Sequence, residues 1–182
     1  MTDSTGGRVP AHQHFVLTVA ATLVAVSLFI PRPMNFAPLG AFGLFVGAYS
    51  PARHAWAYPL AVLTAYVVAI GGYQWFVLAS VFVGFAGPAL LGSAWLKKHI
   101  SFARVGASAM ATSVWFFLVS NLGSWVAFGV PRGEGLLAHY LAGLPLFWNT
   151  LAGDLFFSTV LFGGYALVGW ASQRRAAHEA RA

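Results

Sequence analysis

One acidic side chain interrupts a long apolar run near the end of the sequence. Asp154 lies within the run 146–171, roughly 13 Å along a helix from Pro145. An ionisable group inside a membrane costs several kcal/mol, so it indicates a functional site by default. Asn121 lies in the preceding run, roughly 10 Å from the end of that run at Phe128. These counts predict that Asp154 and Asn121 lie at similar depths.

Two further amides accompany this pair. Asn149 precedes Asp154 by about one helical turn, and Asn35 begins another apolar run. We predict that Asp154, Asn121, Asn149 and Asn35 are substrate-binding contacts in a pocket in the outer half of the bilayer. The alternative is that Asp154 and Asn121 bond to each other or to backbone, which would pin two helices together.

Other chemistry finds little support in the sequence. There is no cysteine, and no phosphate-binding loop, zinc signature or nucleophile elbow is present. The histidines fall outside the apolar runs or at their ends, which argues against a haem held within the bundle. They are His12, His14, His54, His99, His139 and His178. We therefore predict that the protein is not an enzyme and holds no metal, and the sequence names no cofactor.

Composition indicates a membrane protein of one domain, residues 1–182. Hydrophobic residues make up 59% of the chain and charged residues 8%, whereas a soluble domain is typically about 25% charged. The net charge of +6 is scattered between apolar runs. Because a nucleic-acid surface would cluster these charges on one face, we expect the lipid bilayer and other membrane proteins as partners, and no nucleic acid.

The apolar runs predict an all-α, polytopic helix bundle. A crossing helix needs about 17 to 25 residues, and five runs qualify: 14–30, 54–70, 75–96, 105–128 and 146–171. A sixth, 35–50, is short and has Pro38 near its start. Its Gly40, Gly43 and Gly47 share one face, which would allow close packing against neighbouring helices. We predict six transmembrane helices, with five helices plus a re-entrant segment as the alternative.

Charge asymmetry orients these helices. With six spans and both termini in the cytoplasm, only Arg32 and Arg132 lie outside. The other basic residues lie inside, in agreement with the positive-inside rule: Arg8, Arg53, Lys97, Lys98, Arg104, Arg174, Arg175 and Arg181. Five spans with an external N-terminus give the same split, because Arg8 and Arg32 merely exchange sides. The charges therefore orient the last four helices and leave the first two open.

The longest external loop has a helical pattern of its own. Leu136, Leu137, Tyr140, Leu141 and Leu144 recur at helical spacing before Pro145. We predict a short interfacial helix over residues 136–144. It would either anchor the loop at the membrane surface or act as a lid over the pocket.

Three strings resemble the signatures of a bacterial inner-membrane family of unassigned function, whose members look like transport proteins. They read RPMNFAPLGAF (32–42), FFLVSNLGSW (116–125) and GLPLFWNTLAGDL (143–155). All four candidate site residues lie inside them. That family is distantly similar to the substrate-binding S components of energy-coupling-factor vitamin transporters.

The resemblance implies six helices, cytoplasmic termini, an outward-facing pocket and a separate energising module. Midway along the third span, where a polar or acidic residue is expected, the chain has only Thr64 and Tyr66. The alternative function is therefore a non-catalytic structural or accessory subunit of a larger membrane complex. Such a subunit would pack against other membrane proteins, with pigment or lipid between them.

A reporter fusion at the N-terminus distinguishes the two topologies. We expect a reporter that is active only in the cytoplasm to be active at both termini, because six crossings return the chain to its starting side. Activity at the C-terminus alone would reduce the number of spans to five.

Overall fold

The computed structural model describes residues 11–50, 55–72 and 74–179. The orientation prediction depends partly on Arg8, Arg53 and Arg181, which lie outside the described residues, as do both chain ends. His54, where the third predicted span begins, also lies outside them.

Most of the described residues are helical, and none of them forms a β-strand. A π-helical turn, Gly92–Leu96, extends the fourth helix. The fifth helix is extended by a π-helical turn, Trp125–Gly129, and then by a 3-10 turn, Val130–Arg132. The α-helices of eleven or more residues are α1 (Ala11–Ser27), α2 (Leu39–Tyr49), α3 (Ala57–Ala69), α4 (Trp75–Leu91), α5 (Phe102–Ser124) and α6 (Leu136–Glu179). The prediction of an all-α chain is confirmed.

Three helical stretches in the described part are long and apolar enough to cross a membrane. They are Trp75–Leu96, Phe102–Arg132 and Leu136–Arg174. The other helices are shorter, with 17 residues in α1, 11 in α2 and 13 in α3. The chain is thus an all-α protein with three helices able to span a membrane, rather than the six predicted from apolar runs.

Helix α2 occupies the centre of the bundle. Every residue from Leu39 to Ala48 is buried, and α2 contacts each of the other five helices. Its sequence, LGAFGLFVGAY, is apolar on all sides, which is the pattern of a fully enclosed helix. At about 1.5 Å per residue it is roughly 16 Å long, about half of a 30 Å hydrocarbon core. Helix α2 is therefore too short to cross a membrane by itself.

The start of α2 differs from the prediction. The helix begins at Leu39 and not at Asn35, because Asn35 has φ of 64°, in the left-handed region that a right-handed helix cannot include. Asparagine is one of the few side chains that tolerate this region.

The separate interfacial helix predicted over residues 136–144 is also not observed. These residues form the first turns of α6, which continues through Pro145 to Glu179. A proline within a helix removes one backbone hydrogen bond but need not end the helix where neighbouring helices support it. Treating Pro145 as a boundary was therefore wrong.

The backbone of α2 lies directly against the end of α4. A Cβ atom on Gly47 would overlap the carbonyl oxygen of Ala89 and lie 2.8 Å from the amide nitrogen of Ser93. A Cβ atom on Gly92 would overlap the carbonyl oxygen of Leu44 in the same way. Glycines on both sides of the contact thus allow the close approach that short, buried α2 requires.

We expect Gly47→Ala to destabilise the protein by about 1–3 kcal/mol, because the added methyl group would force two backbones apart. Gly106→Ala is the matched control: it lies in α5, where nothing is within 4 Å of the new atom, and alanine favours a helix. Thermal unfolding in detergent measures both. Equal melting temperatures for the two variants would contradict the close contact.

Candidate functional site

Asp154 joins three helices at the start of α2. Its side chain is 2% exposed and accepts a hydrogen bond from Ser113 Oγ of α5 over 2.7 Å. The carboxylate also lies against Gly40 in the first turn of α2, beside the backbone N–H of Ala41. The first N–H groups of a helix lack partners within it and carry the positive end of its dipole. Asp154 of α6 therefore caps α2 from outside.

This cap requires small residues around it. Pro38, at the N-cap of α2, provides no side-chain hydrogen bond, so the helix depends on another element. A Cβ atom on Gly40 would overlap the Asp154 carboxylate, and one on Gly153 would lie 3.1 Å from the amide nitrogen of Ala37. Glycine at these two positions lets the carboxylate reach the helix end.

The hydrogen bonds of Ser113 accommodate either ionisation state of Asp154. Its hydroxyl lies 2.7 Å from Asp154 Oδ2 and 2.9 Å from the carbonyl oxygen of Ala109, yet it has one hydrogen to donate. A carboxylate would take that hydrogen, whereas a protonated Asp154 would donate to Ser113, which would then donate to Ala109. Both arrangements satisfy all the buried polar atoms involved.

The segment 28–38 between α1 and α2 is irregular backbone beside α6. Asn149 Nδ2 donates to the carbonyl oxygen of Met34 over 2.9 Å. Arg32 Nη1 lies 2.7–3.1 Å from the carbonyl oxygens of Ser27, Leu28 and Ile30 at the end of α1. Irregular backbone at membrane depth is tolerated where protein buries it or where it lines a polar cavity. The segment 28–38 lines such a cavity.

A cavity of about 700 Å³ lies against this segment and α2. Helices α3 to α6 complete its wall, and the cavity is partly open on the side of the segment 28–38. Its aromatic lining comes from Tyr66, Phe85 and Phe116. Its polar lining includes Arg32, Asn35, Thr112, Ser120, Asn121, Ser124, Thr150 and Asp154.

The cavity brings together three of the four predicted site residues. Asn35, Asn121 and Asp154 line it, whereas Asn149 bonds to Met34 and does not. Asn149 instead holds the segment that carries Asn35. Its place is thus beside the cavity, and substrate binding by all four residues remains a prediction.

Asp154 and Asn121 do not share one depth. Asp154 contacts Ser113, whereas the Asn121 carboxamide oxygen lies against Gly143 and its Nδ2 donates to the carbonyl oxygen of Phe117. Ser113 and Asn121 are separated by roughly 12 Å along α5. The expected equal depth was wrong because it was counted from Pro145, and α6 begins well before that residue. The two residues therefore mark different levels of one long cavity.

Residues 136–144, all within the described part, do not line the cavity, and Leu146 is the first residue of α6 that does. Tyr140 Oη donates to the carbonyl oxygen of Leu118 over 2.6 Å. Just before this stretch, the hydrogen bond with His139, assisted by Arg132, lowers the pKa of Glu134. These contacts tie the stretch to α5 and its loop, and its action as a lid stays a prediction.

Sequence reasoning missed Ser113, Arg32 and Tyr66 as parts of the site. A signal for Ser113 was present: it is one of three closely spaced hydroxyl residues in an apolar helix, with Ser108 and Thr112, and all three are buried. Thr64, which was considered beside Tyr66, bonds to the carbonyl oxygen of Leu60 and is exposed. Among the described residues, no three His, Asp or Glu side chains gather as a metal site would require.

The model of DUF6580, a family of unknown function, matches residues 10–178, which is nearly the whole chain. No curated protein and no solved structure shows significant similarity to this sequence.

We expect Asp154→Leu to cost about 1–3 kcal/mol of stability, because it leaves the Ala41 N–H buried without a partner. Asp154→Asn keeps an acceptor for that N–H and can donate to Ser113, which then bonds to Ala109. It should lose less than about 1 kcal/mol. Thermal unfolding of both variants in detergent checks this. If the asparagine variant is destabilised as much as the leucine variant, the carboxylate charge matters beyond the hydrogen bonds.

Proposed function

The chain belongs to the DUF6580 family, and we propose that it binds a small molecule in the cavity above, as the substrate-binding component of a transporter does. The observation that carries this proposal is the convergence of the three signature strings on one cavity. Asn35 of the first string, Asn121 of the second and Asp154 of the third all line it. Residues far apart in sequence and recognisable as signatures meet at one place.

The form of the cavity supports the same function. Ligand sites typically measure about 300–1,000 Å³ and combine apolar walls with a few polar groups. A cavity of about 700 Å³ with aromatic walls and scattered hydroxyl and amide groups fits this description. A central helix only 11 residues long leaves the space beyond its N-terminus unfilled, and the cavity occupies that space.

We propose that both termini are cytoplasmic, that the protein resides in a bacterial inner membrane and that the cavity opens outward. Lys97 and Lys98 lie between α4 and α5, Arg104 lies in the first turn of α5, and Arg174 lies near the end of α6. Their shared side fits the cytoplasm by the positive-inside rule. In this orientation α1, α2 together with the segment 28–38 before it, and α3 make three passes. Helices α4, α5 and α6 make three more, which gives six. Uptake would require a separate energising protein.

A role as an accessory subunit is the second candidate, favoured by a groove of about 290 Å³ between α5 and α6. Ser158, 2% exposed, lines this groove and has no hydrogen-bond partner among the described residues. Gly106 and Gly163 lie beside it with open space around them. A helix of another membrane protein could approach here.

Blocking the cavity tests the proposed function. We expect wild-type protein, purified gently from its native membrane, to release a small molecule on denaturation. Ser120→Phe should reduce this release by at least about tenfold, because the ring would occupy space beside Asn121. Mass spectrometry of the released fraction measures it.

The matched control is Leu122→Phe, which changes a residue of the same helix that is 47% exposed and should leave the release unchanged. If wild-type protein releases nothing, the cavity proposal fails. Stable co-purification with a membrane complex that lacks a coupling ATPase would then favour the accessory role.

A further inference from the structure

The charges of the cavity indicate what kind of molecule it accepts. Among the described residues that line it, Arg32 and Asp154 are the two with charged side chains. Each already faces a helix end of opposite sign. The guanidinium group of Arg32 lies at the carbonyl end of α1, and the carboxylate of Asp154 at the N–H end of α2. Both charges are therefore compensated by the protein itself.

An ionic ligand would find no spare countercharge on these walls. Burying an unpaired charge is far more costly than burying a hydrogen-bonded neutral group. When Asp154 is a carboxylate, the two side chains together carry no net charge, so neither sign of ligand is favoured.

The remaining polar groups are neutral, and three of them lie toward one end of the cavity. Ser120, Asn121 and Ser124 occupy neighbouring turns of α5. Asn121 Nδ2 donates to the carbonyl oxygen of Phe117 and its carboxamide oxygen lies against Gly143, which leaves a second N–H for other partners. Hydroxyl and amide groups of this kind recognise amides, alcohols and ring nitrogens.

The middle of the cavity is aromatic. Phe85 of α4 and Phe116 of α5 stand with ring centroids 4.5 Å apart, and Tyr66 of α3 lines the same space. Rings of this kind pack well against a flat apolar body. Along α5 the cavity runs from Thr112 to Ser124, roughly 18 Å, so it suits an elongated molecule.

We propose that the cavity takes an uncharged molecule with an aromatic or heteroaromatic ring and a neutral hydrogen-bonding end, and rejects cations and anions. The ring lies between Phe85 and Tyr66, and the polar end lies at Ser120, Asn121 and Ser124. This inference depends on the proposed function, since it names the ligand class of the same site.

Three probes that differ chiefly in charge test the class. Indole-3-acetamide is neutral, indole-3-acetate is an anion and tryptamine is a cation near neutral pH. We expect the amide to bind wild-type protein at least about tenfold more tightly than either ion, as measured by thermal stabilisation of the purified protein. Equal or tighter binding of an ion, or binding of none of the three, overturns the proposed class.

A charge variant sharpens the test. Asp154→Asn removes the negative charge at the start of α2, while the positive charge of Arg32 remains. The preference should therefore shift toward indole-3-acetate by about tenfold. Ser158→Ala is the matched control, because it changes a buried polar residue of the same helix that lines the groove between α5 and α6 and not this cavity. Its preference should equal that of wild type, and an equal shift in both variants contradicts compensation by charge.

Failure of this inference is separable from failure of the proposed function. If wild-type protein releases a molecule that Ser120→Phe protein does not, and that molecule is ionic, the cavity proposal stands and the ligand class is wrong. If neither protein releases a molecule, the cavity proposal itself is wrong.

Discussion

The bundle depends on satisfying one buried helix end. Helix α2 is buried from Leu39 to Ala48, so its first N–H groups need hydrogen-bond partners within the protein. Asp154 supplies an acceptor from α6, and Ser113 holds the carboxylate from α5. Three helices are thereby fixed at one point, and the absence of side chains at Gly40 and Gly153 is what lets them meet there.

The cavity follows from the same constraint. Because α2 is about half the length of a membrane-crossing helix, the chain reaches it through the irregular segment 28–38. This segment needs partners for its own backbone, and Arg32 and Asn149 provide some of them. Polar residues of α5 and α6 face the space left beyond the end of α2. A short central helix thus produces a polar cavity within an otherwise apolar bundle.

The sequence predicted the part of this arrangement that follows from the energetic cost of burying a charged group. A carboxylate in a long apolar run must have partners, so Asp154 was identified without a structure. Ser113 was missed because finding it requires the relative register of α5 and α6, which composition does not contain. Asn149 was grouped with the cavity by its spacing from Asp154, but helix rotation turns it toward Met34. The start of α2 and the length of α6 were misjudged because Asn35 adopts a left-handed conformation and Pro145 is tolerated within a helix.

The structure also changes what an acidic residue in this bundle implies. A polar or acidic residue was expected midway along the third span, and Tyr66 lines the cavity there. An acid at that place is not needed as a partner of Asp154, because Asp154 already lies beside Ser113 and the start of α2. These contacts stabilise the bundle whether or not a ligand is present. Recognition then falls to the neutral groups along α5, where a change of side chain can alter the ligand while leaving the cap on α2 intact.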